Sequence, residues 1–469
     1  MKKILKYGLI GWLVLSVLTF PFYWPFIRMF WVFVPNVEKP DYAPPASAYE
    51  ARLQDLDYLS TVLRYDRSFS ETATQSFTAK LEQMKTSAEA MSDAQFYLGV
   101  AEAMALADNG HTSVSYRPQY TQFNTIGARL YEFDDGVYVV AAAPDKAETV
   151  GRRVIAVDGT PIAALQSDMS AYKGGNEDWR KLYSTFLIES PDLMAAAGKA
   201  ASPDRMTLTF DADAGASEQV SFDGVLAENP DDLPWRAAWH TLSPELSGFL
   251  ADGGSHALGS DVARLPKYLT APGEPLSYSL DQNGLYIRAL AGFTAGDQSI
   301  GKAYKAMLAE YPEGSLDYLV VDFRLHDGGD YTKSMGFAKA APKAVKEDGD
   351  VYIITGPNTF SAAIVTAAML KYNAGDRAVI IGEQMGDREQ FWAERGSSFQ
   401  LPNSGYYINY ATGYHDWENG CKGEPYCFTM NEMFEVPAGS LAPEVSLPQD
   451  FASYARGEDV VMEWIAAQR

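Results

Sequence analysis

The sequence predicts an α/β protein built on a mostly parallel sheet. Continuous apolar runs, "LDYLVVDFR", "DVYIIT" and "RAVIIG", recur through its C-terminal half. Helical stretches separate them, one beginning near Thr332 and one after Ser361. A strand that is apolar at every position needs cover on both faces, and helices between the strands supply it.

The 469 residues suffice for two or three domains with their own cores. An apolar share of 47% argues against disorder. With 38 basic and 61 acidic side chains the net charge is -23. So acidic a body repels nucleic acid and anionic lipid, so no nucleic-acid partner is expected. The charge reads as a solubility device.

Residues Gly8 to Ile27 form an uncharged apolar run of 20, preceded by Lys2, Lys3 and Lys6. That length spans a bilayer, and the lysines hold the N-terminus in the cytoplasm. The expectation is an uncleaved single-pass anchor over residues 1–36 in the inner membrane, with the body on the periplasmic side. A cleaved leader needs small residues after the apolar run, and the first alanine is Ala43.

A proline-rich polar linker, 37–47, follows. Residues 48–115 read as helical. Leu53, Leu56, Leu59 and Val62 keep one face apolar, as do Phe77, Leu81, Met84 and Met91. The last of these helices opens on Ser92-Asp93-Ala94-Gln95, the form of a capping box. It closes at Asp108-Asn109-Gly110, where Asn and Gly can turn left-handed. Residues 116–228 are rich in strand signals, including a hairpin in "DRMTLTFDADAGASEQVSFDGV". Residues 229–275, rich in Pro and Gly, read as a linking region. "PLSYSLDQNGLYIRALAGF" opens the final α/β domain, 276–469, with a hairpin turning at Asn283-Gly284.

Two cysteines occur, Cys421 and Cys427. In an exported body a disulfide closing this short loop is expected. A metal site is not, because only His415 lies near enough to add a ligand. No cofactor is implied.

Ser361 stands where the strand "VYIIT" turns into a helix. Serine there is usually a cap. However, Asn358 and Thr359 lie just upstream and could cap instead. A helix start also stabilises negative charge, so a nucleophile there can form an oxyanion beside the Ala362 N–H. Gly328 and Gly329 follow the preceding strand, and paired glycines can present N–H groups to an anion. The ends of consecutive parallel strands are neighbours, which would place both features together.

These stretches resemble the tail-specific, or C-terminal-processing, serine proteases. "LVVDFRLHDGGD" is similar to the family's strand-plus-glycine signature, and "VYIITGPNTFSAA" to its nucleophile segment. "AVIIGEQMGD" and "APEVSLPQDFASYARGEDVVMEWI" resemble the segments that follow. "APDKAETVGRRVIAVDGTPI" resembles part of the family's PDZ-like module, and "ALADNGHTSV" its segment ending in His-Thr. The likeness covers most of residues 90–469 in the right order. It implies a crotonase/ClpP-like catalytic domain at 276–469, a PDZ-like module at 116–228, and polypeptide substrates. It implies Ser361 as nucleophile, with Ala362 and Gly328 or Gly329 as the oxyanion hole.

Many family members pair the serine with a lysine. Here the lysine position falls at Gly386, followed by Asp387 and Arg388. Arginine stays protonated and is a poor base. Histidine is then the expected base. His111 matches the histidine of the tricorn-like branch, and His326 lies in the glycine loop. In that branch a glutamate orients the histidine, and Glu435 falls near its position, with Asp416 and Glu418 as rivals. The expected activity is hydrolysis of unfolded proteins or C-terminal tails through an acyl-enzyme. The missing lysine motivates a second reading, an inactive peptide-binding protein on the same fold. A crotonase-like acyl-CoA enzyme is a third, opposed by the acidic surface. Nothing in the sequence sets an oligomeric state.

Overall fold

Six strands form the central sheet of the computed structural model, in chain order: β1 (Leu276–Asp281), β2 (Gly284–Ala289), β3 (Tyr318–Asp322), β4 (Val351–Thr355), β5 (Ala378–Gly382) and β6 (Val445–Ser446). The structure describes residues 20, 23–25, 27–212, 216–226, 238–246, 250, 253–293 and 299–469. β1 and β2 are antiparallel, and every later pairing is parallel. The β1–β2 turn has Gln282 at φ 45° and Asn283 at φ 63°. Two left-handed central residues match the twist of a hairpin, and they are Gln282-Asn283, one position before the expected Asn283-Gly284, because Gly284 already pairs with Asp281.

Successive side chains leave a strand on opposite faces. Val351 and Ile353 of β4 pack in a core with Ala363, Ala367 and Leu370 of the Ala362–Ala374 helix. Tyr352 and Ile354 pack on the other face with Val461 and Ile465 of the C-terminal helix Val460–Ala467. The sheet is covered on both faces, as its continuous apolar strands predict, and the mixed α/β class holds.

A second, antiparallel sheet occupies residues 125–256, in the order 125–126, 217–225, 205–211, 153–157, 136–142, 128–133. Ser255–His256 adds to the 136–142 strand. Tyr268 and Leu269 pack with Phe133, Val140 and Tyr454. Part of the stretch read as a linking region therefore belongs to the folded body. A two-residue strand carries too few side chains to show a period. The capping box at Ser92 forms in full. The left-handed residue after that helix is Asp108, at φ 50°, rather than Asn109 or Gly110. Ser92's helix and its neighbours share one apolar core with the second sheet and with Phe399 and Tyr406.

The expected single-pass anchor and its inner-membrane localisation are corrected. Among the described residues, no helix is long and apolar enough to cross a membrane. Most of the run from Gly8 to Ile27 lies outside the described residues. The chain just beyond it packs on the body. Arg28 pairs with Glu432, Phe33 packs edge-on against Phe428, and Thr412 donates to the Phe33 carbonyl.

Arg324, just past β3, joins the sheet to the C-terminal helix. Its Nη1 and Nη2 each stand 3.0 Å from an oxygen of Asp459, and its Nε 3.0 Å from Asp322 Oδ1. Removing one side of such a buried network strands the other. Arg324→Met is expected to destabilise the fold by about 3–5 kcal/mol, measured by denaturant unfolding.

Candidate active site

The turn between β4 and the Ala362–Ala374 helix is built around Thr359. Its hydroxyl accepts from Gly356 N–H and donates to Phe323 O, 2.9 Å in each case. Phe360 N–H then donates to His326 O. The turn is thus locked onto the loop that follows β3. Ser361 emerges at φ 55° and ψ -116°, and its side chain makes no capping bond. For a residue other than glycine, that conformation costs on the order of 1–3 kcal/mol and must be held by its surroundings. It keeps the hydroxyl clear of the helix end, as in other strand-to-helix turns that display a serine. Neither upstream residue caps the helix by side chain in its stead: Thr359 shapes the turn and Asn358 reaches Tyr131.

Gly328 and Gly329 take φ 114° and 129°. A Cβ on Gly328 would stand 2.8 Å from Ser361 Cβ, and one on Gly329 2.8 Å from the Gly292 backbone. Only glycine lets this loop approach so closely. The two N–H groups differ, however. Gly328 N–H donates to His326 Nδ1 at 3.1 Å and is engaged. The N–H groups of Gly329 and Ala362 have no such partner among the described residues, and both residues line the cleft that holds Ser361. Of the two glycines, only Gly329 keeps an N–H open toward the cleft. Burial pushes His326 down to about 4, so it is neutral and its Nδ1 is occupied. It shapes the loop.

His111 lines the same cleft, which encloses about 510 Å³. Its loop is pinned by a buried chain of bonds: Asn109 Nδ2 to Thr112 Oγ1, and Thr112 Oγ1 to Asp66 Oδ2. The imidazole is sandwiched between Phe360 at 4.4 Å and Phe391 at 5.2 Å between ring centroids. Phe360, the neighbour of Ser361, stacks in turn on Trp179 at 4.1 Å. The stack fixes the plane of His111 and leaves its two nitrogens to act along the edges. Nδ1 stands 3.5 Å from Oδ2 of Asp387, whose side chain is 2% exposed. Neither ring nitrogen of His111, nor Asp387 Oδ2, makes a hydrogen bond among the described residues.

The carboxylate that faces His111 is therefore none of the three expected ones. Glu435 is half-exposed and faces Lys422. Asp416 accepts from the backbone of Glu418 and Asn419, and Glu418 accepts from Gln390. None of the three contacts His111. Asp387 escaped the sequence reading although it sits one position after the vacant lysine site. The signal was present but was read only for a base.

Gly386 explains the vacancy. A Cβ there would overlap the Pro357 carbonyl oxygen and stand 2.8 Å from Trp179 Cε3. Trp179 fills the space a lysine would need. Gly386→Lys is expected to disrupt the turn and abolish activity rather than supply a base, checked by turnover and melting temperature. Another lysine does line the cleft. Lys173 lies over the rings of Trp179 and Tyr183, and burial pushes it down to about 8, against the opposing pull of Asp387.

Cys421 and Cys427 are joined in a disulfide. Among the described residues, no cluster of three or more His, Cys, Asp or Glu could hold a metal ion.

No protein-family model and no curated protein matches the sequence. Solved structures do share its fold. Mature CPAF complexed with lactacystin is 14% identical, covering 90% of this chain and 98% of that one at a TM-score of 0.54. Mature CPAF alone is 14% identical, covering 89% and 96% at a TM-score of 0.55. A photosystem II D1 C-terminal processing protease aligns at a TM-score of only 0.37 with 14% identity, and carries no further argument.

Proposed function

We propose that this chain is a serine peptidase that hydrolyses polypeptides through an acyl-enzyme on Ser361. The observation that carries the reading is the shared cleft: Ser361 held at positive φ and His111 both line it, and Asp387 Oδ2 stands 3.5 Å from His111 Nδ1. The ordered family motifs and the fold shared with mature CPAF support it.

In the substrate complex the 3.5 Å gap between His111 Nδ1 and Asp387 Oδ2, not a hydrogen bond at rest, closes so that Nδ1–H donates to the carboxylate, which leaves Nε2 as the basic nitrogen. Ser361 Oγ attacks the peptide carbonyl carbon and passes its proton to Nε2. The resulting oxyanion lies against the Ala362 and Gly329 N–H groups. The C–N bond then breaks, and Nε2 returns the proton to the leaving amine. Water, deprotonated by His111, attacks the ester and frees Ser361. In this reading the domain is crotonase-like, the 125–256 sheet is a PDZ-like module, and unfolded proteins or C-terminal tails are the substrates.

A fluorophosphonate probe tests the nucleophile. It is expected to label wild type on one serine and to leave Ser361→Ala unlabelled. Because His111 Nε2 makes no bond to Ser361, a second reading stands: a peptide-binding protein that does not turn over. Peptide binding without labelling or cleavage would establish that one instead.

A further inference from the structure

Ala362 and Val365 line the cleft together with Ser361 and give it an apolar surface. Polar groups gather elsewhere on its lining: Tyr331, Glu394 and His415. Tyr331 is 8% exposed and His415 1%. The Tyr331 hydroxyl and both ring nitrogens of His415 lack a hydrogen-bond partner among the described residues. Each buried polar group left unpaired costs on the order of 1–3 kcal/mol. Several in one cleft point to a ligand that supplies the partners. Glu394 Oε1 stands 3.5 Å from His415 Nε2, and its carboxylate is partly open to the cleft.

The charges around Glu394 do not cancel it. Arg395 lines the same cleft and keeps its charge, but its guanidinium reaches Asn409 and not Glu394, and Lys333 faces Asp330. Lys173 is held over the Trp179 and Tyr183 rings. Burial pushes His415 below the usual imidazole range, so it is neutral at pH 7. His415 itself is held rigid, stacked on Phe391 at 4.9 Å between centroids. This part of the cleft thus offers a carboxylate paired with no lysine or arginine, a neutral imidazole and a phenol. The cleft's apolar surface suits the alkyl stem of a long side chain, whose charged head would reach the carboxylate.

We propose that Tyr331, Glu394 and His415 form a specificity pocket for a lysine or arginine side chain of the substrate, at the residue whose carbonyl Ser361 attacks. The assignment rests on the peptidase reading above and adds the class of bond cleaved.

The test uses fluorogenic peptides that differ only at that residue: lysine, arginine, norleucine or glutamate. Wild type is expected to prefer lysine and arginine over norleucine by at least about tenfold in kcat/KM. Glu394→Gln is expected to collapse that ratio, and Glu394→Arg to shift preference toward glutamate. A ratio measured on one preparation cancels differences in folded fraction. If Glu394→Gln does not fold, the wild-type preference decides alone. Cleavage with no preference for basic residues, or a preference that survives Glu394→Gln, overturns the pocket while leaving the peptidase reading intact. No cleavage of any peptide, with no fluorophosphonate labelling, overturns both.

Discussion

Ser361→Ala is expected to lower kcat on a peptide substrate by about a million-fold, the loss seen when a nucleophile that works as a unit with its base is removed. The side chain makes no capping bond, so the melting temperature should barely move. Ser361→Gly sharpens the test. Glycine adopts positive φ without strain, so this variant should be equally inactive yet more stable by roughly 1 kcal/mol. Activity lost and stability gained at one position would mark strain held for function. A Ser361→Ala protein that cleaves peptides as fast as wild type would remove the mechanism.

Asp387→Asn is expected to lower kcat by about ten thousand-fold. The amide can donate to His111 Nδ1, which moves the imidazole proton to Nε2 and blocks it as a base. Shape and burial are nearly unchanged, so a matching loss of stability is not expected. Glu435→Gln is the paired control and should leave turnover as it is, because Glu435 faces Lys422 at the surface. The opposite pattern, with Glu435→Gln inactive and Asp387→Asn active, would return the orienting role to the sequence-derived candidate.

The parts of the fold that were legible in the sequence are those set by local pattern. Continuous apolar strands demanded a doubly covered sheet, and Asn283-Gly284 marked the hairpin. Ser92 and Gln95 announced a capping box that forms in full. Each is a statement about residues a few positions apart, where backbone geometry alone ties side chains together. The short strand Ser255–His256 left no such trace. Length and hydropathy of the apolar N-terminal run say nothing of the Phe428 ring on which Phe33, just beyond it, packs.

The candidate site divides along the same line. By itself the sequence determined that Ser361 follows a buried strand, that Gly328 and Gly329 follow the strand before it, and that glycine stands where a lysine base was sought. Tertiary structure alone decided which carboxylate faces His111 and which glycine N–H is left free. Asp387 meets His111 across segments far apart in the chain, and no spacing encodes that meeting. Gly328 and Gly329 are identical as residue types, and only the His326 ring engages one of them. A hydrogen bond made or left open depends on where two groups lie in space, which spacing along the chain constrains only when they are close neighbours.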